Sequence, residues 1–148
     1  MANIFNDDFR DFIKALNDND VQYLLVGGYA VIIHGYRRTT GDLDIWVNPV
    51  EDNYRRLMEA FSQFGLPLIP QRDFLENEEI EVFTFGRSPV SIDILKQVKG
   101  CVFVDAYAAS DVYVEENLPV RYLHLQTLLE AKKASGRYKD LDDIEKLG

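Results

Sequence analysis

The chain has 148 residues, 47% of them hydrophobic and 12% aromatic, enough apolar material for one packed domain and hardly for two. Its 25 acidic and 16 basic residues give a net charge of −9, which argues against a broad basic face that grips nucleic acid. No apolar run approaches the roughly 20 residues needed to span a bilayer, the Asp- and Asn-rich start lacks a signal-peptide core, and Cys101, His34 and His124 are too few for a disulfide or a Cys- or His-based metal site. The expectation is a cytoplasmic, single-domain protein without a membrane anchor.

In chain order, Phe5, Phe9, Phe12, Ile13 and Leu16 recur at helical spacing and predict an amphipathic helix over residues 4–17. Val21 to Val26 is a short apolar run rich in β-formers, a buried strand stopped by Gly27-Gly28. Tyr29 to His34 reads as a short helix ended by Gly35. Asp42 to Val47 alternates acidic and apolar residues at strand period. Asn48-Pro49 ends that strand, and Tyr54, Leu57, Met58, Phe61 and Phe64 mark a helix over 51–64. A short strand is expected at 66–69, and a hairpin from 79–85 and 89–95 around Gly86-Arg87-Ser88. Short strands near 111–114 and 119–123 precede a helix from Leu125 to Ser135, capped by Gly136, and a last helix from Lys139 to Leu147. The pattern predicts an α/β (α+β) fold, a short mixed β-sheet flanked by helices. Residues 1–100 form the expected core, and 101–148 a C-terminal helical extension of the same domain.

The chemistry concentrates in Leu24 to Val47. A strand enters a Gly-Gly turn and a helix follows, which lets backbone approach a ligand and suits phosphate oxygens. On its own, Gly-Gly in that place is also an ordinary tight turn. Two residues apart on a strand, Asp42 and Asp44 share a face with Thr40 and Trp46, about 6.5–7 Å apart along the chain. Paired carboxylates repel unless a cation sits between them, and Mg²⁺ takes hard oxygens of this kind; a solvated face on an edge strand is the plainer reading. Asp93, among Ile92, Ile94 and Leu95, is a costly acid in an apolar strand unless paired or metal-bound. Should its strand adjoin that of Asp42 and Asp44, three carboxylates converge, enough for two Mg²⁺ in a phosphoryl transfer.

Gly27-Gly28, then 13 residues, then Asp42-Leu43-Asp44, then a later strand with Asp93, resembles the DNA polymerase β-like nucleotidyltransferase superfamily. Gly35-x-x-Arg38-x-Thr40-x-Asp42-x-Asp44 is similar to its small bacterial members, relatives of abortive-infection and toxin–antitoxin nucleotidyltransferases. Leu129-x-x-Lys132-x-x-x-Gly136-Arg137-x-Lys139-Asp140-x-x-Asp143 resembles the closing motif of that subgroup. The resemblance goes with the expectation of a minimal member, without the large C-terminal substrate domain that many relatives carry.

The resemblance implies a transfer of NMP from an NTP, with ATP as the default, to a hydroxyl acceptor, releasing pyrophosphate. Asp42, Asp44 and Asp93 would be the catalytic and metal residues, holding two Mg²⁺ (Mn²⁺ as a substitute), with Asp93 also a candidate base. Gly27 and Gly28 would hold the β- and γ-phosphates. Arg38, Lys132 and Arg137 are candidate triphosphate partners, and equally ordinary surface or helix-end cations. Thr40 either joins the nucleotide site or only sets the turn. Trp46 either stacks a base or, the better expectation, packs under a helix. His34 is expected to cap a helix or join the core. The acceptor is an RNA end such as tRNA, a protein or a small molecule, and a protein partner is possible. The alternative is a non-catalytic, antitoxin-like or regulatory module on the same fold.

Overall fold

The computed structural model describes residues 3–36, 40–87 and 90–136, with all side chains of the last span except those of Lys132 and Ser135. Six helices and six strands are interspersed among these residues. They are α1 (Asp7–Asp18), β1 (Tyr23–Val26), α2 (Gly27–Ile33), β2 (Leu43–Val47), α3 (Glu51–Phe64), α4 (Gln71–Leu75), β3 (Val82–Arg87), β4 (Val90–Leu95), α5 (Phe103–Ala108), β5 (Asp111–Glu115), β6 (Leu118–Tyr122) and α6 (Leu125–Ser135). The strands form one mixed sheet in the order β3-β4-β2-β1-β6-β5. β2 runs antiparallel to β1 and parallel to β4, and β6 runs parallel to β1.

Both faces of the sheet are covered, as alternation along the strands requires. Leu25, Leu43, Ile45, Val47 and Ile94 face one core with Phe9, Phe12 and Ile13 of α1 and Leu57 and Phe61 of α3. Leu24, Val26 and Trp46 face the other, with Phe103 and Ala106 of α5 and Leu128 of α6. The central strands are therefore buried on both sides, and β1 is buried at all four positions.

Local chemistry sets the boundaries. Asn6 accepts the Phe9 amide at 2.8 Å, so the first helix starts at Asp7 rather than at residue 4. The strand expected at 66–69 does not form. Pro67 and Pro70 cannot donate to a ladder, and the Ile69 amide donates instead to the Met58 sulfur at 3.2 Å. The C-terminal third supplies not only α6 but also the β5–β6 hairpin, which joins the sheet beside β1. The helix expected at 139–147 lies outside the described residues.

Candidate active site

The sequence dictates the site through one turn and one register. At the end of β1 the chain passes from extended Val26 (φ −128°, ψ −171°) to left-handed Gly27 (φ +68°) and enters α2 at once, two residues earlier than the apolar pattern suggests. A Cβ on Gly27 would lie 2.1 Å from Oδ2 of Asp44, and one on Gly28 would lie 2.6 Å from Oγ1 of Thr40. The Gly-Gly turn is thus seated against Asp44 and Thr40, and a side chain at either glycine has no room.

The register brings the acids together. β2 and β4 pair in parallel with Asp44 opposite Asp93, so the two carboxylates leave neighbouring strands at the same level and on the same face. Asp42 lies just before β2, beside the end of β4. There the buried hydroxyl of Ser91 donates to its Oδ1 at 2.9 Å. Ser91 was not visible as a site residue from the sequence; its only signal is its place two residues before Asp93. β2 is central rather than at a lateral edge, which removes the edge-strand reading of its acids.

Asp42, Asp44 and Asp93 are each half-buried. Oδ1 of Asp93 is fully buried and accepts no hydrogen bond, a costly state for a carboxylate oxygen. Burial first, and then the charges of Asp42 and Glu115, push the Tyr29 phenol above its usual range, so it stays protonated beside the acidic end. A divalent cation is a chemically fitting occupant for this set: hard oxygens, one without a donor, and a glycine cradle against another. Among the described side chains, no three are already closed into a metal-binding group; Asp42 is turned toward Ser91.

The other expected residues divide. Gly27, Gly28 and Thr40 adjoin the acids, as above. Lys132 lies in α6, which packs through Leu128 on the sheet face shared by Trp46; its side chain is outside the description. Arg38 and Arg137 lie outside the described residues. Trp46 packs rather than stacks a ligand: it is 2% exposed and meets Phe103 edge-on at 5.1 Å. His34 caps α2. Its Nε2 lies 2.8 Å from the Leu123 carbonyl, an acceptor, so that nitrogen carries the proton.

No family profile and no curated protein sequence matches the chain. Its fold does have a solved counterpart. The crystal structure of a candidate nucleotidyltransferase from Thermotoga maritima superposes with a TM-score of 0.58 at 14% identity, over 93% of this chain and 88% of that one. The chain has a nucleotidyltransferase-like fold. Among the described residues no helix is long and apolar enough to cross a membrane.

Proposed function

We propose that the protein is a nucleotidyltransferase that moves NMP from an NTP to a hydroxyl acceptor, with Asp42, Asp44 and Asp93 as its acidic centre. The observation that carries this reading is the pairing of Asp44 with Asp93 across the β2–β4 ladder while Gly27 leaves its Cβ space to the Asp44 carboxylate. The acceptor oxygen attacks the α-phosphorus, the bond to the bridging oxygen of the β-phosphate breaks, and pyrophosphate leaves. Asp93, opposite Asp44 in the ladder, is the residue assigned to take the hydroxyl proton. Ser91 holds Asp42 in place from β4. The backbone N–H groups of Gly27 and Gly28, in the turn seated against Asp44 and Thr40, are assigned to the phosphates. Arg38, Lys132 and Arg137 are the cations assigned to the triphosphate by their motif positions.

Two Mg²⁺ ions, or Mn²⁺, are the cofactors this oxygen set suits; held by Asp42, Asp44 and Asp93, they would neutralise charge on the phosphate oxygens. ATP is the donor assigned, and the acceptor class is an RNA end, a protein hydroxyl or a small molecule. Kinship with toxin–antitoxin enzymes belongs to the same reading. The test is ligand linkage: Mg²⁺ with a non-hydrolysable NTP raises the melting temperature of the wild type and not of Asp44→Asn. No shift with any of the four NTP analogues at about millimolar concentration would overturn the reading.

A further inference from the structure

The sheet carries a second concave feature at the end where β1 begins. Tyr23 there pairs with Val47, whereas Val26, at the acidic end, pairs with Asp44. Three residues of strand, about 10 Å, separate the two ends. A cleft of about 410 Å³ opens there, lined among others by Asp20, Gln22, Tyr23, Arg56, Tyr107 and Arg121. That volume lies in the range of small-molecule sites.

Its two guanidinium groups set it apart. The guanidinium of Arg121 lies 4.9 Å from the centre of the Tyr107 ring and donates to Ser110 Oγ at 3.1 Å. Tyr107 is itself stacked on Phe103 at 5.5 Å, and the Ser110 hydroxyl donates to the Tyr107 carbonyl at 2.6 Å. Arg121 is therefore fixed in orientation before any ligand arrives. Elsewhere in this acidic chain, Arg10 pairs with Glu115, Arg55 with Asp52 and Arg72 with Glu76. Among the described residues, neither Arg56 nor Arg121 has an ion pair, although Asp20 lines the same cleft. The neighbouring amide oxygens are already committed: Asn17 accepts from Tyr23 and also donates to the Pro119 carbonyl, and Gln22 accepts from Asn48. The cationic donors in the cleft are those of the two arginines, neither held by a carboxylate.

We propose that this cleft binds a small phosphate-bearing anion, independently of the Asp42–Asp44–Asp93 centre. One carboxylate is saturated by one guanidinium fork, whereas a phosphate has enough oxygens for two arginines arriving from α3 and β6. A long polyanion is disfavoured by the net charge of −9. The test is titration of the ¹⁵N-labelled full chain with inorganic phosphate, ribose 5-phosphate, acetate and a short oligoribonucleotide at constant ionic strength, read at the arginine Nε–H signals. The Arg121 signal moves saturably with the two phosphates and not with acetate. Arg56→Gln, an exposed position, and Arg121→Lys each weaken phosphate binding at least about tenfold, while Asp44→Asn titrates like the wild type. Four results would each overturn the proposal: no saturable movement with phosphate, equal movement with acetate, both arginine variants binding as the wild type does, or the oligoribonucleotide displacing phosphate as the tighter ligand.

Discussion

Gly27 is the residue on which the acidic centre turns, because it combines a left-handed backbone with a missing side chain that Asp44 fills. Gly65 is a useful control: it is also left-handed, at φ +104°, but a Cβ there meets nothing within 4 Å. Gly65→Ala is predicted to lose about 1 kcal/mol of stability through backbone strain and to keep nucleotide binding. Gly27→Ala is predicted to lose more than that in denaturant unfolding, and to abolish the nucleotide-induced rise in melting temperature because the Asp44 carboxylate is displaced. Equal effects of the two substitutions on nucleotide binding would contradict this. At this scale the sequence was informative where chemistry is local. The Asp42-x-Asp44 spacing, the Gly-Gly turn and the misfit of Asp93 in an apolar strand could all be read directly. The hydrogen bond from Ser91 to Asp42 could not, because it depends on the register of two strands some 50 residues apart in the chain.

Among the elements, the strongest devices lie away from the acids. Asn53, 1% exposed at the start of α3, accepts the Gln22 amide at 2.7 Å and donates to the carbonyls of Gln22 and Asn48. It ties the start of β1 to the end of β2 and to α3. Asn53→Ala leaves the Gln22 amide without a partner, takes one of two donors from each of the Gln22 and Asn48 carbonyls, and is predicted to cost about 1–3 kcal/mol in urea unfolding. A cost below about 0.5 kcal/mol would show that water replaces the amide. Glu115 plays the corresponding part for α1: buried in β5, it takes the Ile4 amide and the Arg10 guanidinium, both at 2.6 Å. Helices α1 and α3 were legible because each presents a periodic apolar stripe, and α6 by the Gly136 stop that follows it. Helices α4 and α5 were not, since five and six residues are too few to define a period. The false strand at 66–69 arose from Leu66, Leu68 and Ile69 alternating with prolines, whose missing N–H outweighs the apolar pattern.

For the whole molecule, the net charge of −9 carries less about function than it first suggests, since three of the acids are assigned to one site and two arginines without ion pairs line a cleft at the other end of the sheet. Burial also shapes the response to pH. Tyr23, 3% exposed, has its phenol pushed by desolvation from 10.0 up to about 12. The folded state thus holds this proton more tightly than the unfolded chain. Its contribution is complete below pH 10 and is lost as pH rises through about 12. Thermal unfolding across that interval is predicted to fall more steeply for the wild type than for Tyr23→Phe; parallel curves would contradict it. The two-sided burial of β1 was legible as a near-continuous apolar run, that of β2 was masked by its alternating acids, and the strand order was not legible, because no local pattern encodes which strands pair.

The central claim is that Asp42, Asp44 and Asp93 work as one centre for nucleotidyl transfer, and transfer of label from an α-³²P NTP in Mg²⁺ tests it most directly. The acceptor pool would include total tRNA, protein and small hydroxyl compounds. The wild type is predicted to label an acceptor, and Asp44→Asn and Asp93→Asn to fall by about 10³-fold or more while keeping their cooperative unfolding. Labelling that persists in either folded variant would contradict the account.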